Sequence, residues 1–305
     1  MDNIEELLQK IRDKYDKDGE DPAIYLEGLY HQKYITYWEY IQTGVLLNLQ
    51  NPVTNLPDEM VFITYHQITE LYFKLALWEC KQIREASECS AEFLANRLAR
   101  IRNYFQHLSH SFSIMREGME PEQFLQFRMA LTPASGFQSV QFRYIELAMT
   151  PLINLVEHGK RKDLQDHSPE EQYENIYWKN GATEVDTGKK AMVLRQFEEK
   201  YDEELLETAK RWQGRTVWEI YQQLPSEKKN DENLIKTMRS LDKTVNVSWG
   251  KVHYKTARRY LEAGDEPKEA TGGTNWRSYM QPANQNKYFF PELWSEKDKE
   301  QWGME

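Results

Sequence analysis

Asp58-Glu59-Met60-Val61-Phe62-Ile63-Thr64-Tyr65-His66-Gln67-Ile68-Thr69-Glu70-Leu71-Tyr72-Phe73-Lys74-Leu75 is the stretch on which the fold turns. Phe62, His66, Thr69 and Phe73 return at spacings of four and three, which puts them on one stripe of an α-helix. Glu70 and Lys74 stand four apart in the order that favours a helical ion pair. Pro57 and Asp58 are helix-opening residues, and the pattern runs on to about Ala86. A helix of this length, with one imidazole set into an otherwise apolar stripe, predicts a helical protein whose core has a polar feature.

Working outward, the same periodicity predicts a short charged helix over 4–16 and a second over Tyr37–Gln50, where Tyr37, Tyr40, Ile41, Val45 and Leu49 fall at helical spacings. The residues between these two read as irregular and aromatic-rich. Further helices are predicted over 91–116, Pro121–Leu131, Ser139 to about Glu157, 190–211, 214–223, 229–245 and 247–262. Thr132-Pro133-Ala134-Ser135-Gly136-Phe137-Gln138-Ser139 carries a Pro stop, a Gly and a Ser cap, the requirements of a helix-to-helix turn. Residues 159–190 are polar and charge-clustered and read as an excursion from the core; the tail from Gly264 is irregular, with Thr271-Gly272-Gly273-Thr274 and then a run of Trp, Tyr and Phe. No strand pattern of useful length and no internal repeat occurs.

Composition agrees with this helix-rich picture. Fourteen glycines and eleven prolines in 305 residues amount to about 8%, against roughly 12% in ordinary chains, so turn material is scarce. With 39 basic and 49 acidic side chains the formal charge is −10, which argues against nucleic acid or an anionic membrane as the main partner. Two cysteines, Cys80 and Cys89, are too few for a disulfide framework or a four-thiolate metal site. The acidic N-terminus has no apolar signal core and no run of about 18 apolar residues occurs. The expectation is a soluble, cytoplasmic protein of one domain, 1–305.

The histidines separate by context. His31, His158 and His167 lie in polar surroundings. His107 and His110 are three apart on a helix but no Glu-x-x-His pattern joins them. His66 sits one turn after Phe62, and His253 one turn after Trp249 with Ala257 beyond; either alone reads better as a satisfied core histidine than as a functional one. Arg128 stands among Phe124, Phe127 and Leu131, where a guanidinium wants a carboxylate, supplied by the protein or by a bound amino or keto acid. The Thr271–Thr274 loop admits close backbone approach but lacks the Lys of a phosphate loop.

At these residues the chain resembles the tryptophan 2,3-dioxygenase family, all-helical haem enzymes that cleave the indole ring of L-tryptophan. Thr36-Tyr37-Trp38-Glu39-Tyr40-Ile41 resembles an N-terminal family element, and the 58–75 stretch its most recognisable helix. Phe127-Arg128 with Leu131-Thr132-Pro133-Ala134-Ser135-Gly136-Phe137-Gln138-Ser139-Val140-Gln141-Phe142-Arg143 is close to a family signature. Trp249-x-x-x-His253, with Arg259 and then Thr271-Gly272-Gly273-Thr274, resembles the haem-ligand helix and the glycine loop after it.

The resemblance implies a single all-α helical bundle holding haem b, ferrous when active, with O2 as co-substrate and N-formyl-L-kynurenine as product in tryptophan catabolism, the kynurenine pathway. It implies His253 as the proximal iron ligand with Trp249 beside it, His66 as the distal histidine facing the indole nitrogen, and Phe62 against the indole ring. Arg128 would bind the substrate carboxylate, Phe124 would line the substrate side, and Thr271 would meet the amino and carboxylate groups. Ser135 and Gly136 would lie at the haem edge. Tyr37, Tyr40 and Ile41, within a 1–50 segment, would reach a neighbouring subunit's site in a homotetramer, a dimer of dimers.

Departures bear on substrate choice. Phe124 stands where the family often has Tyr, Ala270 precedes Thr271, Asn275-Trp276 follows Thr274, and Asp265-Glu266-Pro267-Lys268-Glu269 lengthens the approach to the loop. Residues 159–245 match no motif and read as a divergent helical excursion. A related histidine-ligated haem oxygenase for a modified tryptophan, another indole or another aromatic amino acid is therefore the alternative expectation, and a silent haem-binding or sensor protein a third.

Overall fold

In the computed structural model of the chain, residues 3–131, 136–182, 189–262 and 280–304 are described. Those residues are helical, with no strand and one isolated bridge between Val156 and Ile176, as the periodicity predicts. None of the described helices is long and apolar enough to cross a membrane. The chain divides into two compact units, Met1–Gln50 and Asn51–Glu305.

The first unit holds α1 (Ile4–Asp18), α2 (Pro22–His31), α3 (Tyr37–Ile41) and α4 (Thr43–Leu46). Helix α2 corrects the expectation of an irregular stretch: Asp21 caps it by accepting from the Ala23 N–H, and Pro22 supplies the first helical φ. The expected single helix over Tyr37–Gln50 is broken instead, because Gln42 takes a left-handed φ of 58° between α3 and α4. No residue of these four helices is buried.

In the second unit α5 (Pro57–Glu85) and α6 (Ala91–Glu117) form the central pair. The buried stripe of α5 runs Tyr65, Thr69, Phe73, Ala76, Cys80 and Ile83; it shares Thr69 and Phe73 with the stripe the sequence marks and takes Tyr65 in place of His66. Phe62 and His66 consequently sit half-buried at its border. Helix α6 answers with Leu94, Leu98, Ile101, Phe105, Leu108, Phe112 and Met115. Helix α7 (Pro121–Ala130) follows, then α8 (Val140–Met149), which ends eight residues before the expected boundary at Glu157 because Pro151 cannot continue it and a short 3-10 turn, Leu152–Leu155, takes over.

Residues 159–182 differ most from expectation. Helices α9 (Pro169–Glu174) and α10 (Tyr177–Gly181) bring Tyr173, Ile176, Tyr177 and Trp178 into a second core with Leu147, Leu155, Leu194, Phe197 and Leu205. A buried polar knot fixes it to the rest. The Glu146 carboxylate accepts from Arg143 (2.9 Å), Tyr177 (2.5 Å) and Lys287. Burial pushes the Glu146 carboxyl up, but Lys287 and Arg143 outweigh it and hold it below the usual carboxylate range.

Helices α11 (Met192–Trp212), α12 (Val217–Gln223) and α13 (Ser226–Lys229) lead to a long rod. It comprises α14 (Glu232–Lys243), a π-helical segment (Thr244–Trp249) and α15 (Gly250–Leu261) without interruption. The two helices expected over 229–245 and 247–262 are thus one. The C-terminal segment adds α16 (Pro282–Gln285) and α17 (Glu296–Glu300) and buries Tyr288, Phe289, Phe290, Trp294 and Trp302.

Candidate active site

Helix α5 contributes Phe62 and His66, whose rings lie 4.1 Å apart between centroids. The Nδ1 of His66 is 2.7 Å from the Phe62 carbonyl oxygen. A carbonyl only accepts, so the neutral ring carries its proton on Nδ1 and leaves Nε2 as an acceptor. Burial lowers the His66 pKa, with the Phe62 carbonyl and Glu70 opposing. The imidazole is therefore neutral near pH 7, with a lone pair to offer an N–H group.

Helix α7 supplies an aromatic wall. Phe127 is 5.5 Å and Phe124 is 6.1 Å from Phe62 by ring centroids. Arg128 in the last turn of α7 is 6% exposed, and burial lowers its pKa from a value so high that the charge persists. Phe124 also packs 4.6 Å from Tyr260 of α15. The Tyr260 hydroxyl donates to the Met115 carbonyl, so it does not replace the hydroxyl that Phe124 lacks.

The rod supplies Trp249 and His253, stacked at 6.2 Å with 25° between planes. Phe112 of α6 touches both, at 4.9 Å from Trp249 and 5.7 Å from His253, and Tyr65 at 5.5 Å. Phe112 is the site residue that reading motifs overlooks; its place on the apolar period of α6 was the available signal. His253 is accessible at its surface, yet desolvation, followed by repulsion from His66, drives its pKa down to about 4. Accessibility together with strong desolvation belongs to a group lining a concave wall. The repulsion that His66 exerts on His253 shows that the two imidazoles lie close in space.

These residues suit haem. A neutral imidazole is the form that ligates iron, and no described residue hydrogen-bonds either ring nitrogen of His253. Phe112 and Trp249 offer flat apolar surface beside it. Among the described residues no three His, Cys, Asp or Glu side chains gather as a metal set; His107 instead stacks on Tyr72 at 6.4 Å. One imidazole is what iron already held in a porphyrin asks of a protein.

The sequence nominates His66, His253, Phe62, Phe124, Arg128 and Trp249. Ring contacts join Phe62 to His66 and Phe124, and Trp249 to His253; Tyr65 and Phe112 link the two groups, and Arg128 shares α7 with Phe124. Thr271 and Ser135 lie outside the described residues. Gly136 opens a 3-10 turn, Gly136–Gln138, that packs on α11, with Gln138 donating to the Val193 carbonyl at 3.4 Å. Tyr37, Tyr40 and Ile41 are exposed on the first unit, at 72%, 73% and 42%.

Two neighbouring neutral imidazoles, an aromatic wall and a buried guanidinium on the helix that carries that wall make a helical setting whose chemistry fits haem beside an aromatic carboxylate. Comparison with known proteins narrows it. The family model described as tryptophan 2,3-dioxygenase matches residues 29–176. Proteins of that name from Ruegeria sp. and Bradyrhizobium diazoefficiens are 38% and 35% identical to the chain over 116 and 113 residues. These two alignments cover 38% and 37% of the chain, and span about two fifths of those relatives, 41% and 40%. The protein of that name from Herpetosiphon aurantiacus is 29% identical over 267 residues, covering 86% of this chain and 96% of its own length. Over 29–176 the chain is similar to the tryptophan 2,3-dioxygenase family, and a thinner likeness to proteins of that name runs along most of its length.

Proposed function

We propose that the protein is a haem-dependent dioxygenase that opens the C2–C3 bond of the indole of L-tryptophan with O2, giving N-formyl-L-kynurenine. What supports this reading is that Phe62 packs on His66 and on Phe124 and Phe127 of the helix that carries the buried Arg128, while His253 lies close enough to His66 to feel its charge. His253 would hold the haem iron, and the haem, when bound, would supply the O2 chemistry. The remaining tasks are performed by the chain's own side chains.

Phe62 packs on the indole ring, and Phe124 and Phe127 close the apolar side. His66 Nε2 accepts the indole N–H, which fixes the ring's rotation rather than removing a proton. Arg128 takes the carboxylate in a bidentate pair. Three fixed points orient the reacting bond, and orientation of this kind is worth several kcal/mol of barrier. The reaction balances without another reductant, since both oxygen atoms enter the product. Haem-loaded, reduced protein given L-tryptophan and air is expected to form N-formylkynurenine; a fully loaded sample without turnover would contradict the proposal.

Phe124 favours one second reading. With no hydroxyl beside Arg128, and with Tyr260 committed to Met115, a substituted tryptophan or another indole amino acid is the alternative substrate. Faster turnover of a substituted tryptophan or another indole amino acid than of L-tryptophan would support it. Assembly belongs to the same proposal: the exposed Tyr37, Tyr40 and Ile41 offer apolar surface to a second copy, which supports a homotetramer in which this segment completes a neighbour's site.

A pH prediction follows from His253. Its folded pKa of about 4 lies below the ordinary 6.5, so protonation is disfavoured in the fold. The stability tied to the neutral ring is present above 6.5 and is lost as pH falls toward 4. Imidazole ligation, followed by the Soret band, should therefore persist at pH 5 and collapse near 4; a ligation midpoint near 6.5 would contradict the desolvated setting.

A further inference from the structure

Asp242 of α14 is fully buried, and every group that meets it is a donor. One oxygen, Oδ1, accepts from Asn246 Nδ2 at 2.7 Å and the Phe289 N–H at 3.0 Å. The other, Oδ2, accepts from the Phe290 N–H at 3.1 Å and Trp294 Nε1 at 2.9 Å. Burial raises the Asp242 pKa, and the four donors, with no acceptor among them, oppose it by favouring the ionised carboxylate. Three of the four come from the C-terminal segment and the fourth from inside the π-helical segment.

The same segment meets the rod again beyond the π turn. A Cβ on Gly250 would stand 3.0 Å from Pro282 Cγ, so glycine is what lets the segment lie close there. Gln281 Nε2 donates to the Tyr254 hydroxyl at 3.1 Å. Positions 242, 246, 250 and 254 recur every four residues, and the C-terminal segment runs along them as a splint across both ends of the π segment.

A π segment carries one more residue per turn than the regular helix, and one residue is about 100° of rotation. Relaxation of Thr244–Trp249 to a regular helix would swing everything beyond it by roughly that angle and turn His253 away from His66. Asn246 keeps its Oδ1 buried with no hydrogen bond among the described residues, an arrangement retained for the donor it gives Asp242. We propose that Asp242 is a positioning residue for His253: it clamps the C-terminal segment across the π segment and so fixes the rotation of the helix that carries the imidazole. This rests on the haem reading above.

The test is haemin titration of the full-length apo-protein, read as Kd and as the imidazole-ligated share of the Soret spectrum. Asp242→Asn removes the clamp from one end, and Gly250→Ala presses Pro282 from the other and serves where the first variant does not fold. Glu79→Gln, at a buried carboxylate that pairs Arg97 and Arg100, is the control for general loss of Tm. We expect haemin affinity to fall by about tenfold or more in both rod variants, the range seen when groups that orient a ligand are removed, with a lower imidazole-ligated share and neither change in the control. Rod variants that bind haemin within about twofold of wild type, with its spectrum, would overturn the proposal. A wild-type chain that takes up no haemin would overturn the functional reading and this inference together.

Discussion

His253→Ala should lose the imidazole-ligated Soret band and turnover together. Two imidazoles lie close in space, and their surroundings assign them different work. His66 is tied through Nδ1 to the Phe62 carbonyl, which sets its ring and tautomer and suits it to a neutral polar ligand. His253 stands between Phe112 and Trp249, accessible and neutral. Removing a ligand itself is expected to exceed the roughly 10–100-fold cost of removing a group that merely orients one. His66→Ala should keep haem and alter turnover instead. Haem retained with unchanged ligation in His253→Ala would refute the assignment, and haem lost only in His66→Ala would exchange the two roles.

Arg128→Ala should raise KM for L-tryptophan steeply. Truncating one partner of a buried charge pair costs about 2–5 kcal/mol, or roughly 30- to several-thousand-fold. Arg128 is itself buried, so a fall in stability is expected alongside, and KM alone does not isolate the clamp. Tryptamine, which lacks the carboxylate, does. The wild type should discriminate strongly between the two substrates and Arg128→Ala should lose most of that preference, whereas Arg128→Lys keeps the charge but not the planar fork and should fall between. An Arg128→Ala enzyme that still prefers tryptophan by the full wild-type factor would place carboxylate recognition elsewhere.

Much of this scaffold is legible in the residues because helical periodicity and burial coincide along α5, α6 and α11. The exceptions have physical causes. The marked stripe holds at Thr69 and Phe73 but not at His66, whose place in the core goes to Tyr65 because that side chain is amphipathic: its ring enters the core while its hydroxyl donates to the Leu108 carbonyl at 3.2 Å. The rod reads as two helices because the extra residue of the π segment shifts the apolar phase at Thr244–Trp249, which looks like a boundary. Charge around Tyr173, Tyr177 and Trp178 hides a second core, since Lys179 and Glu174 pair at 3.1 Å beside the rings they flank.

Site residues were legible where chemistry is unusual for its setting, an imidazole or guanidinium among aromatic rings. Phe112 was not, since nothing separates a phenylalanine beside a ligand from one in a core. Asp242 was not either, because its partners lie 47, 48 and 52 residues away and only the fold brings them to it.

Both atoms of O2 are expected to enter one product through an opened indole ring. Turnover of the haem-loaded, reduced enzyme with L-tryptophan under oxygen-18, followed by prompt mass spectrometry, tests it most directly. N-formylkynurenine carrying two labelled oxygens is the result this account predicts. A hydroxylated tryptophan carrying one labelled oxygen, with the ring intact, would contradict it.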